Sequence, residues 1–94
     1  MSRALTGQKT VSVAGSAEAL GSQTINAALL IKALDTNTDV IVVGNDGAGD
    51  VTISNGMRLE PGDCIVMEFV GNLSALMVDA AVNGEGVCWV ALNA

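Results

Sequence analysis

Met57-Arg58-Leu59-Glu60-Pro61-Gly62-Asp63-Cys64-Ile65-Val66-Met67-Glu68-Phe69 is the stretch whose reading decides the fold. It sets a Pro-Gly turn between two runs of alternating apolar residues. Pro61 is the only proline in the chain, and its ring fixes φ near the value needed at the second position of a type I or II turn. Gly62 supplies the positive φ that a type II turn needs at its third position. Asp63 is placed to cap the turn before the chain runs straight again. A hard corner between extended runs predicts a β architecture with this corner as its reference.

Working outward, residues 9–13 (Lys-Thr-Val-Ser-Val) alternate cleanly and read as a first strand, with residues 1–7 a small, polar, flexible arm. Residues 24–34 are ambiguous. Ile25, Ala28, Leu29 and Ala33 fall at helical spacing, with Ser22 or Thr24 available as an N-cap. Against a helix, residues 28–34 are short, densely apolar and bounded by the turn cluster Asp35-Thr36-Asn37-Thr38. The unmistakable strand of residues 39–44 follows, so a strand-turn-strand pair through residues 35–38 is the more consistent reading. Residues 44–50 form a glycine-rich acidic loop. Residues 51–53, 63–70 and 73–82 read as extended, Asn83-Gly84 carries the signature of a type I′ hairpin, and residues 87–92 close the chain as a last strand.

Seven or eight short antiparallel strands, punctuated by Gly, Asn, Asp and Ser, predict an all-β fold: a compact β-sandwich or jelly-roll-like barrel spanning residues 8–94 as a single domain. Several strands are apolar on both sides. In the last, Val87, Trp89 and Ala91 oppose Cys88, Val90 and Leu92; after the corner, Ile65, Met67 and Phe69 oppose Cys64, Val66 and Val70, with Glu68 the one polar residue. A sandwich needs one apolar face per sheet, so two-sided strands imply sheets packed between subunits. Composition agrees. Half of the 94 residues are hydrophobic although only Phe69 and Trp89 are aromatic, more apolar content than one small core requires.

Charge and residue types exclude several classes. Ten acidic residues face four basic ones for a net charge of −6, and Arg3, Lys9, Lys32 and Arg58 are scattered. With no basic stripe or aromatic platform, nucleic acid is not an expected partner. The longest apolar run, residues 27–31, is far short of a membrane span, and the first residues show no signal-peptide pattern. Histidine is absent, which removes the usual general base, the Ser-His and Cys-His pairs and the commonest metal ligand. A cupin-type metal site beside the Pro-Gly turn is thereby excluded.

The remaining candidates have plain readings. Asn45, Asp46 and Asp50 offer oxygen ligands for Ca²⁺, but their spacing fits neither an EF-hand nor a Gly-Gly-x-Gly-x-Asp repeat, so a turn is expected. Glu60 with Asp63, or Asp79 with Glu85, lacks the aromatic platforms of a glycosidase cleft or a lectin. Trp89 reads as a core or interface anchor. Cys64 and Cys88 read as reduced, small hydrophobes. No catalytic, metal-binding or cofactor-binding residue is assigned, and neither an enzymatic activity nor a small-molecule substrate is expected.

The turn motifs also occur in a recognisable order. Val43-Gly44-Asn45 is followed by Asn55-Gly56, by Leu59-Glu60-Pro61-Gly62-Asp63 and by Gly71-Asn72-Leu73-Ser74. Val78-Asp79-Ala80 and Asn83-Gly84-Glu85-Gly86-Val87 complete the series. Over residues 32–92 this order resembles small virion structural proteins of tailed bacteriophages. The resemblance implies a compact β-sandwich or jelly roll and an accessory part of the particle. The first expectation is a capsid decoration (cement) protein, binding the major capsid protein on the outer surface of the head as a homotrimer. Alternatives are a tail, fibre or baseplate component, or a host-surface carbohydrate-binding module. The resemblance carries over no catalytic residue.

Overall fold

A computed structural model describes residues 3–68 and 71–93. Ten strands appear, in chain order β1 (Arg3–Thr10), β2 (Glu18–Ala19), β3 (Thr24–Ile25), β4 (Leu29–Ala33), β5 (Ile41–Asn45), β6 (Met57–Leu59), β7 (Cys64–Met67), β8 (Gly71–Asn72), β9 (Leu76–Ala80) and β10 (Gly86–Asn93). Eight of them make two four-stranded sheets, ordered β1-β10-β4-β7 and β2-β9-β5-β6, while β3 and β8 form a separate short pair. Every pairing is antiparallel. First strand beside last, with the chain alternating between two stacked sheets, is the arrangement of a jelly roll. The fold is all-β, and no α-helix occurs among the described residues.

The residues left open at the sequence level settle as strand. Leu29, Ile31 and Ala33 of β4 are buried, while Leu30 and Lys32 face away. Their helical spacing loses because β10 and β7 flank β4 on both sides and satisfy its backbone. The core lies between the sheets, where Leu29, Ile31, Val87 and Ala91 meet Ile41, Val43, Leu59, Val78 and Ala80. Each large member stabilises the fold by about 1.5–3 kcal/mol through its burial. Trp89 packs against this cluster from β10. Its ring lies over Gly7 of β1, where any side chain would collide with it.

Four expectations need correction. Residues 3–7 are not a loose arm; they are the first part of β1, which ends at Thr10 and not at Val13, and they pair residue for residue with β10 from Arg3↔Asn93 to Gly7↔Trp89. Leu5 is the one large apolar residue among them, too little alternation to reveal a strand whose outer face is solvated. Residues 35–38 do not join paired strands, because β4 and β5 belong to opposite sheets. Asn83-Gly84 likewise links β9 to β10 across the sandwich. Gly84 has φ +84° but Asn83 is not left-handed, so with Glu85 N–H bonded to the Val82 carbonyl at 3.3 Å the turn is type II, not I′. Lastly, residues 73–82 are not one extended stretch, since a 3₁₀ turn at Leu73–Ala75 precedes β9. Asn72 caps that turn, its Oδ1 accepting from Ser74 N–H at 3.0 Å.

The Pro61-Gly62 corner is a type II turn, with Gly62 at φ +89° and Asp63 N–H bonded to the Glu60 carbonyl at 2.9 Å. It does not fold a hairpin. It carries the chain from β6, at the edge of one sheet, to β7, at the edge of the other. Asp63 closes the corner by accepting the Glu60 N–H on Oδ2 at 3.0 Å. Bonds from Gly62 N–H to the Ala33 carbonyl and from Ala33 N–H to the Asp63 carbonyl tie it to β4. Phe69 and Val70, placed by sequence in the strand after the corner, lie outside the described residues.

Candidate functional site

Most of the carboxylates singled out by sequence are spent on holding loops. In the glycine-rich loop, Asn45 Nδ2 donates to Asp50 Oδ2 at 2.7 Å, and Asp50 N–H reaches back to the Gly47 carbonyl at 3.1 Å. Asp46 is exposed and lines a cavity of about 280 Å³ with Gly15, Ala17 and Met77. Glu60 and Asp63 belong to the corner. Asp79 is buried on the outer side of β9, and its Oδ1 accepts from Gly15 N–H at 3.0 Å and from Ala80 N–H at 2.8 Å. Its Oδ2 has no partner among the described residues. Asp79 thus pins the loop of residues 11–17 over its sheet. Among the described residues, no group of three or more His, Cys, Asp or Glu is placed to hold a metal ion.

Glu85 is the most heavily used carboxylate. Its Oε2 accepts from Thr38 N–H and Thr38 Oγ1–H, both at 2.8 Å, and its Oε1 accepts from Asp39 N–H at 3.2 Å. Partial desolvation raises its pKa, but the Thr38 and Asp39 donors outweigh it and leave the group below the ordinary value. Beside it, Asn37 is buried and forms a ladder-like pair with Gly86, Nδ2 donating to the carbonyl at 2.8 Å and Oδ1 accepting the N–H at 3.2 Å. Glu18 plays the same part near β1. Lys9 Nζ donates to it at 2.9 Å and Ser12 N–H at 2.9 Å, and the Lys9 bond, followed by that of Ser12, lowers its pKa. Sequence reading missed Asn37 and Glu85 as structural locks, because both sat in stretches read simply as turns.

What remains for function is surface. The outer side of the β2-β9-β5-β6 sheet is roofed by the chain itself. Val42 is fully buried there, as is most of Val51 in the loop of residues 46–56. Among the described residues, nothing roofs the outer side of the β1-β10-β4-β7 sheet. Across its middle, Thr6, Val90, Leu30 and Val66 stand in one register row. Val66 is 63% exposed, and Leu92, which pairs with Ala4, is 44% exposed. The next row is Gln8, Cys88, Lys32 and Cys64. Both thiols are free. They stand two strands apart, about 9–10 Å, too far for a disulfide within the chain.

This face runs to an opening between the free edges of β6 and β7. An apolar cavity of about 370 Å³ lies there, walled by Val43 and Leu76 from one sheet and Ile65 and Met67 from the other. Met57 and Val66, both more than half exposed, also line it. The cavity shows that the sandwich is open on the side joined by the Pro61-Gly62 corner. No helix among the described residues is long and apolar enough to cross a membrane. No protein-family model matches the sequence, and no curated protein matches it. Fold and surface together define an all-β jelly-roll domain with one self-roofed sheet and one bare apolar sheet face.

Proposed function

We propose that this protein is a virion structural protein of a tailed bacteriophage: a capsid decoration protein that binds and stabilises the outer surface of the head as an oligomer. The observation that carries the reading is the bare outer face of the β1-β10-β4-β7 sheet, an apolar surface through which subunits of such an oligomer can assemble. The accessible surface, 4874 Å², is near the ~5,000 Å² of a compact monomer of this mass. The exposed apolar residues are therefore not a missing part of the chain's own core. The turn motifs that give the resemblance its order are occupied as corners and locks, which supports a scaffold role over a catalytic one. An oligomer touching several shell subunits gains avidity without any one contact being strong.

The test is binding to empty phage heads that lack their own decoration protein. The expected result is saturable co-sedimentation and a rise in the temperature at which the heads break open. Absence of co-sedimentation, or gold-labelled antibody against this protein marking tails instead of heads, refutes the reading.

A further inference from the structure

The geometry points to a second copy of this chain as what covers the bare sheet face, packed face to face about a two-fold axis that runs across the strands. By alternation along the strands, the side chains pointing away from the core are Ala4, Thr6, Gln8 and Thr10 on β1, and Cys88, Val90 and Leu92 on β10. On β4 and β7 they are Leu30, Lys32, Cys64 and Val66. Glu68 is exposed in the bend that follows β7, directly after Met67, whose side chain packs inward, which sets it on the outward side. In a chain with fourteen charged residues, only Lys32 and Glu68 among the described residues belong to this face, with Asp35 reaching Lys32 from the turn after β4.

Their placement is self-complementary. Leu30 and Val66 pair across β4 and β7. Lys32 lies two residues from that pair toward one end of the sheet and Glu68 two residues toward the other, about 7 Å each way. Turning a second copy over about an axis through the Val90-Leu30-Val66 row lays that row on its own equivalent. The turn exchanges the two ends, so Lys32 of each copy approaches Glu68 of the other across the ~10 Å gap between packed sheets. An isologous contact of this kind repeats the same pair twice. A foreign partner would give no reason for opposite charges to be balanced about the centre of the patch. Lys32 is not otherwise committed: its contact with Asp35 at 3.3 Å is exposed on both sides, and such pairs are worth little.

Size predicts the strength. Four strands and the eight-residue length of β1 give a face of about 19 by 26 Å, or roughly 500 Å² per copy. The pair would bury on the order of 1,000 Å², at the threshold of a specific interface. The dimer is therefore reversible and concentration-dependent. The inference concerns the oligomer in the function proposed above, yet it is tested on the purified chain with no phage particle present. Failure of either therefore leaves the other standing or falling by its own experiment.

The experiment is sedimentation equilibrium of the full chain and four surface variants, each first checked for an unchanged far-ultraviolet spectrum. The wild type is expected to titrate between 9.5 kDa and twice that mass. Val66→Glu stays monomeric, and because Val66 is exposed in the single chain this loss is not a loss of folding. Lys32→Glu and Glu68→Lys each weaken self-association by about tenfold or more through like-charge contact. The two single variants mixed together associate, and the double exchange in one chain restores the wild-type constant. A wild type that stays at 9.5 kDa overturns the proposal, as does one that forms trimers. So does a pair of charge variants that fails to rescue when mixed.

Discussion

Replacing Asn37 by alanine tests the corner lock that ties the β4–β5 connection to the start of β10. Asn37 is 7% exposed, and its side chain supplies both an acceptor for the Gly86 N–H and a donor for the Gly86 carbonyl. The two losses are unequal. The carbonyl keeps a second partner, the Leu34 N–H at 3.1 Å, so its cost is about 0.5–1 kcal/mol. The N–H would be left buried and unpaired, which costs about 1–3 kcal/mol. Together these give about 1.5–4 kcal/mol, a large share of the roughly 5–15 kcal/mol that holds a domain together. In urea denaturation the midpoint should fall by roughly 1.5–4 M at a slope of about 1 kcal/mol/M, with the slope itself unchanged. Thr36→Ala, at an exposed position in the same turn, should stay within about 0.5 kcal/mol. A loss of under about 0.5 kcal/mol for Asn37→Ala would show that water replaces the lock, and the reasoning would fail.

Three further outcomes follow from the same geometry. Gly86→Ala should cost about 3 kcal/mol or more, because its Cβ would run into the Lys9 carbonyl oxygen and stand 2.6 Å from Thr10 Cα; thermal unfolding that matches wild type would contradict this. Glu18 and Glu85 both have folded pKa values below the ordinary 4.5, so the unfolded chain takes up protons first as pH falls. Their contribution is complete above about pH 4.5 and disappears as pH drops through the folded values. Denaturation midpoints of Glu18→Gln should accordingly lie below wild type at neutral pH and converge on it in acid. Finally, alkylation followed by mass spectrometry should find exposed Cys64 modified faster than half-buried Cys88. Mild oxidation should give no disulfide within the chain.

Much of the fold was legible in the sequence because turns and alternation are local signals. The Pro61-Gly62 corner has the type II geometry its residues require, and β4, β5 and β10 lie where dense apolar runs predicted strands. What alternation cannot encode is which strand pairs with which. Asp35-Thr36-Asn37-Thr38 and Asn83-Gly84 mark reversals whether the chain folds back on a neighbour or crosses to the other sheet. The crossing is decided by a contact 49 residues apart, Asn37 with Gly86. Sequence places the first strand too late, at residues 9–13 instead of Arg3–Thr10, for the opposite reason. Only its inward positions need to be apolar, and of these Gly7 is filled by Trp89 from the next strand. The negative side of site reading was legible from composition, since histidine is absent from the chain. The balanced charges of Lys32 and Glu68 were not, because they become partners only once β4 and β7 are known to pair.

The excess of apolar residues also resolves into two parts that the sequence could not separate. On β5, Val42 faces away from the main core and is nevertheless fully buried, under the chain's own loops. Its two-sided strand therefore needs no neighbour. On β7, Val66 occupies the same kind of outward position and is 63% exposed, because no loop of this chain crosses that face among the described residues. The difference comes from connection length. The eleven residues between β5 and β6 are enough to fold back over their sheet, whereas the four between β6 and β7 are consumed by the Pro61-Gly62 turn. A tight corner thus does more than set the register of β7. By leaving no slack to cover it, the corner keeps that face bare, and the face is then free to meet another molecule.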